Sequence, residues 1–144
     1  MAIDSSRNGE APVGEFGKAA EITLPVSSRA PGAARRIVSL CLGGQVANQI
    51  RDDVDLLVSE LVTNSVRHGE LGDGDTVLVR VFIAADTLRV EIEDPGTTGV
   101  VARSRPDLRS TRGGFGLNLV DSLATRWGVS RRHGTTVWFE TSRA

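Results

Sequence analysis

Over about 46–68 the apolar residues Ile50, Val54, Leu57, Val58 and Leu61 recur at three- and four-residue spacing, with charged residues between them. That period predicts an amphipathic helix laying one face on a core. A second helix is expected over about 29–42, introduced by Pro25 and by Ser27-Ser28, a pair suited to capping, and stopped by Gly43-Gly44. A third, from Gly116 to about Arg126, carries Leu117, Leu119, Val120 and Leu123. Runs at 19–25, 76–84, 87–94, 127–132 and 135–141 read as strands, with Ala85-Asp86 as a tight hairpin turn.

The order strand, helix, helix, hairpin, loop, helix, hairpin predicts a two-layer α/β (α+β) sandwich. Its sheet would be mixed and mostly antiparallel, with about three helices on one face. A doubly wound parallel sheet fits this order poorly. Residues 1–17 are rich in glycine and small polar residues without periodicity and read as a mobile leader. Residues 18–144 are then one domain, the size that a single core serves.

Composition narrows the function classes. Seventeen basic and eighteen acidic residues leave a net charge of -1, so no global field points to nucleic acid or an anionic membrane. Lys18 is the only lysine, a bias toward arginine that a GC-rich genome explains as well as phosphate binding does. The lone Cys41 forms no internal disulfide and fits a reducing compartment. With no apolar run near the ~20 residues that span a bilayer and no signal pattern, the expected location is the cytoplasm.

Three places carry candidate chemistry. On the long helix Glu60, Asn64 and Arg67 fall within about 60° of one another at 100° per residue, bordering the apolar stripe. A carboxylate and an amide there suit hydrated Mg²⁺, which takes few protein ligands; a solvated helix face answers to the same pattern. In the strand that ends at Asp94, alternation puts Leu88, Val90, Ile92 and Asp94 on one face and Arg89, Glu91 and Glu93 on the other. An inward carboxylate needs a donor, which the amino group of a purine supplies, and an aspartate capping its own turn fits as well. Third, Gly113-Gly114-Phe115-Gly116 opens the last helix, where glycines and free amides suit a phosphate, or merely connect two elements.

Neither common phosphate-loop frame fits. The sole lysine lies in no GxxxxGK[ST] frame, and Leu119 stands where a dinucleotide fingerprint needs its third glycine. His68 and His133 lack metal-ligand spacing. Trp127, Trp138 and Phe139 are expected to pack the closing hairpin against the helices rather than to stack on bases.

Taken in order, Glu60-Leu-Val-Thr-Asn64-Ser-Val-Arg-His68-Gly69, Asp94-Pro-Gly96 and Gly113-Gly-Phe-Gly116-Leu117 resemble the N, G1 and G2 boxes of the GHKL (Bergerat-fold) ATPases. The resemblance runs over about 46–140 and is nearest to the short bacterial anti-sigma-factor serine/threonine kinases. It implies ATP and Mg²⁺ as cofactors, with Asn64 as the Mg²⁺ ligand and Glu60 as general base. Arg67 and His68 would line the cleft, Asp94 and Gly96 would hold the adenine, Thr135 or Thr136 would support it through a water, and Gly114, Phe115, Gly116 and Leu117 would sit by the phosphates. Residues 97–112 would be a lid carrying Arg103, Arg105, Arg109 and Arg112 in or beside it. One departure touches lid geometry: the second G1 glycine, Gly99, comes one residue late.

The resemblance also implies protein partners, a sigma factor or an anti-sigma antagonist, with no direct nucleic acid or membrane contact, and small relatives often form homodimers. Two activities remain open at this point: transfer of the γ-phosphoryl group to a small regulatory protein, and nucleotide-dependent binding without turnover.

Overall fold

A computed structural model describes residues 16–68, 74–94, 117–131 and 134–144. In chain order the elements are β1 (Gly17–Pro25), α1 (Ala30–Leu42), α2 (Asn48–His68), β2 (Thr76–Ile83), β3 (Thr87–Asp94), α3 (Leu117–Leu123), β4 (Arg126–Ser130) and β5 (Thr135–Ser142). Residues 1–15 of the expected leader lie outside the described ones, while Gly17 is already paired with Ile83.

The strands form one antiparallel sheet in the order β1-β2-β3-β5-β4, so β3 lies at its centre between β2 and β5. Val77, Val79 and Val81 of β2, Leu88, Val90 and Ile92 of β3, and Phe139 of β5 join Val54, Leu57, Val58, Leu61 and Val62 of α2 in one apolar core. The period of two in the strands meets the helical period in α2, which is why one sheet face takes the helices. This is the α+β architecture expected from the order of elements.

Local chemistry sets the ends of the helices. Pro31 stands in the first turn of α1, where a missing N–H costs nothing. The expected serine cap is absent: the cap position is Arg29, with no side-chain cap bond. Ser27 instead shapes the turn before the helix, its Oγ accepting from the Arg29 amide at 3.1 Å and its carbonyl from the Ala30 amide at 3.2 Å. Gly43, at φ 53°, then turns the chain out of α1, a backbone region that costs glycine little.

The last helix stops at Leu123, short of the expected Arg126. The Thr125 amide donates to the Glu140 carbonyl at 2.8 Å, so sheet pairing takes over before a further helical turn forms. Trp127 continues that pairing opposite Phe139 and packs into the core, and its indole N–H donates to Asp121 at 2.9 Å, fastening α3 to β4.

Trp138 departs from expectation. It alternates with Phe139 and lies on the opposite face of the sheet, outside the helix-packed core. There its ring covers Gly128, its cross-strand partner, and lies 4.0 Å from the Arg89 guanidinium carbon. Arg89 is fully buried and bonded to Glu91 at 2.9 Å and to Glu140 at 2.8 Å. A Cβ on residue 128 would come within 2.7 Å of the Trp138 ring. Because Trp138 is itself buried, Gly128→Ala is expected to destabilise the fold by about 2 kcal/mol, read as a lower urea midpoint. An unchanged midpoint would show that the indole has room to move.

At the far end of the sheet Arg143 draws three segments together. Its guanidinium donates to the carbonyls of Gln45, Ala84 and Ala85 at 3.3, 2.8 and 3.0 Å, and its own carbonyl accepts from the Ala47 amide at 3.0 Å. The α1–α2 connection and the β2–β3 turn are thereby tied to the end of β5.

Candidate functional site

Asp94 lies at the end of β3 and is buried, at 5% exposure. Its alternation with Val90 and Ile92, both in the core, puts it on the helix-facing side of the sheet, as the strand period predicts. The register sets Thr135 directly opposite Asp94 and sets Thr136 opposite Glu93. Thr135 shares the parity of Val137 and Phe139, which face the core, whereas Thr136 shares that of Trp138. Of the two threonines considered from the sequence, Thr135 is therefore on the side of Asp94.

Helix α2 packs across β3, β2 and β5, on the side to which Asp94 points. Glu60 and Asn64 are one helical turn apart on it, Glu60 half-buried and Asn64 at 5% exposure. Both polar atoms of the Asn64 amide are shielded from solvent and have no hydrogen-bond partner among the described residues. An amide buried in this way costs about 1–3 kcal/mol per unsatisfied group unless something fills its valences. A hydrated Mg²⁺ would accept the oxygen as ligand and leave the N–H₂ to donate to a phosphate or water, so the residue fits the group.

Other sequence-derived residues fall in part or wholly outside the described ones. Gly96, the 97–112 segment with its arginines, Gly114, Phe115 and Gly116 lie there, as does His133. Arg67 and His68 close α2, and Leu117 opens α3, but their side chains are likewise outside. Cys41 is half-buried and burial pushes its thiol above its ordinary range, so it is no activated nucleophile.

An amphipathic helix thus lies over an antiparallel sheet, with a buried amide on the helix and a buried carboxylate at the end of a central strand. Residues 25–141 match the family described as histidine kinase-like ATPase domain, and the chain belongs to that family. It is similar to an anti-sigma F factor of Clostridium acetobutylicum, 33% identical over 92 residues, which is 58% of this chain and 62% of that protein. In fold it is similar to the RsbU and RsbW domains of Rv1364c from Mycobacterium tuberculosis, with a TM-score of 0.66 at 21% identity over 87% of this chain and 33% of that one. The family expected from the three boxes is thus the family found. No helix among the described residues is long and apolar enough to cross a membrane.

Proposed function

We propose that the chain is an ATP- and Mg²⁺-binding regulatory protein that acts as an anti-sigma-factor-like serine/threonine kinase on a small antagonist protein. The observation that carries this reading is Asn64, a buried amide without a hydrogen-bond partner among the described residues, on the helix that also bears Glu60. Family membership and the likeness to an anti-sigma F factor support it.

In this reading Asp94 accepts a hydrogen bond from the adenine amino group, with Thr135 beside it, and Gly96, Gly114, Phe115, Gly116 and Leu117 line the rest of the nucleotide. Arg67 and His68 border the phosphates. Asn64 holds Mg²⁺, which when bound neutralises charge on the phosphates. Glu60 takes the proton of the partner's hydroxyl as its oxygen bonds to the γ-phosphorus and the bond to ADP breaks.

The second reading is a switch that binds ATP and a sigma factor without turnover, in keeping with the relative's name, anti-sigma F factor. Linkage permits this when nucleotide binds two conformations unequally.

Incubation with γ-labelled ATP, Mg²⁺ and candidate antagonists separates the two: label on a partner serine or threonine supports the kinase. ATP binding without label supports the switch, and no calorimetric heat with Mg²⁺ and ATP overturns both. Asp94→Asn replaces one acceptor oxygen by a donor and is expected to weaken ATP about tenfold, the worth of one buried hydrogen bond. Equal affinity in that titration would remove Asp94 from the adenine.

A further inference from the structure

The helices α1, α2 and α3 pack on one face of the sheet, and among the described residues no element lies on the other. A sheet face left to solvent keeps its long polar side chains at least partly exposed. Here the centre of that face is closed: Arg89 and Trp138 show 0% exposure, Glu140 4% and Glu91 8%. One side of the Trp138 indole covers Gly128, and the Arg89 guanidinium lies over the ring at 4.0 Å. The guanidinium is therefore the outer member of the stack, and still no part of it meets solvent. The Trp138 indole N–H is shielded too, without a hydrogen-bond partner among the described residues. Toward the edges of the same face burial relaxes: Arg80 keeps 25% of its side chain exposed and Arg126 38%. A cover over the middle strands accounts for this gradient.

The register shows where a cover would come from. Lys18 pairs with Phe82, Phe82 with Arg89, Arg89 with Glu140, and Glu140 with Arg126, one row that crosses the whole sheet. The row begins beside Gly17, where the chain enters β1, and residues 1–15 precede that point. Four interstrand steps of about 4.8 Å make the row roughly 19 Å long, whereas fifteen extended residues reach about 50 Å. The other segments outside the described residues suit the place less well. Residues 95–116 join Asp94 to α3, both on the helix side, while 69–73 and 132–133 only bridge neighbouring elements. Composition agrees with the first segment. Ile3 and Val13 match the half-buried Leu78 and Phe82, which share this face and do not pack on the core, and Asp4, Glu10 and Glu15 match a row that holds two arginines.

We infer that residues 1–15 fold back along this row and close the second face of the sheet over Arg89 and Trp138. The stretch whose composition reads as a leader then belongs to the folded domain. This face is taken by the chain itself rather than offered to a second copy, and the inference does not depend on the nucleotide reading.

The test uses the full chain with Cys41→Ser and either Ser5→Cys or Ala11→Cys, the new cysteine carrying a nitroxide whose unpaired electron broadens nearby proton signals. The expected result at both positions is broadening of the Trp138 indole N–H and the Arg89 Nε–H beyond that of the Trp127 indole N–H, which bonds to Asp121 of α3. When ¹⁵N chain without nitroxide is mixed with unenriched chain that carries it, these signals should stay sharp. Broadening strongest at Trp127 or along α1 and α2, broadening nowhere, or broadening undiminished in the mixed sample would each overturn the inference, the last by making a second copy the cover. Hydrogen exchange in the unaltered chain supplies a measurement that no substitution can disturb. The Trp138 indole N–H should exchange at least about tenfold slower than that of free tryptophan, because an N–H without an acceptor is protected only by what lies over it. Exchange at the free rate would leave the face open and end the proposal.

Discussion

Glu60→Ala is expected to lower phosphoryl transfer to a partner by about 10²- to 10⁴-fold, the usual worth of a positioned general base, while ATP affinity stays within a factor of about two. Glu60 is half-buried at the edge of the α2 stripe, one turn before Asn64, so its removal empties no core position. The split between rate and binding is the diagnostic. Loss of both together would place Glu60 in the binding of the nucleotide, and unchanged transfer would remove it from the chemistry. Glu60→Gln keeps the shape and loses the base, and it should match alanine in rate. Single-turnover transfer with labelled ATP, set beside calorimetry of each variant, reads both quantities.

The second large effect is structural. Glu140→Ala is expected to destabilise the fold by about 3–4 kcal/mol, because it takes from the buried Arg89 a carboxylate that it is bonded to. Arg89 is fully buried, and its bond to Glu140 is 2.8 Å. Arg126 also reaches Glu140, at 3.4 Å, and its guanidinium carbon is 5.6 Å from the Trp138 ring centroid, so the same substitution removes a contact of a second cation near that indole. Exchanging Arg89 and Glu140 together for methionine and leucine should recover much of the loss, since well-packed apolar residues often replace a buried pair at little cost. Chemical unfolding of the single and paired variants measures this. A single variant as stable as the parent would mean that solvent reaches the guanidinium.

These residues also mark where sequence reading succeeds and where it stops. The α2 stripe, the β2–β3 hairpin and the inward turn of Asp94 are local periodicities, and a period of 3.6 or 2 declares itself within a dozen residues. The three boxes were equally local, which made the family legible. Burial on the second sheet face was not. Arg89, Glu91 and Glu140 alternate with apolar residues as solvent-facing charges do, yet Arg89 and Glu140 are 51 positions apart and meet only through the β3–β5 register. The parity of Trp138 was present in the sequence, one residue from Phe139, but an aromatic pair carries no sign of which member faces the helices. Choosing between Thr135 and Thr136 likewise needed the register, because a slip of one residue exchanges their faces. The missing serine cap of α1 has the same origin: Ser27 is spent on the turn that Pro25 begins.

The tie made by Arg143 has a practical consequence. Ser142 pairs with Thr87 and Thr135 pairs with Asp94, so the carboxyl-terminal residues and the proposed adenine pocket occupy opposite ends of β3 and β5. Seven residue steps at a strand rise of about 3.3 Å separate them by roughly 23 Å. Any polypeptide, fluorophore or chip linkage joined after Ala144 therefore departs from a pinned corner at a distance from the nucleotide, and immobilisation through that end should report ligand kinetics without blocking entry.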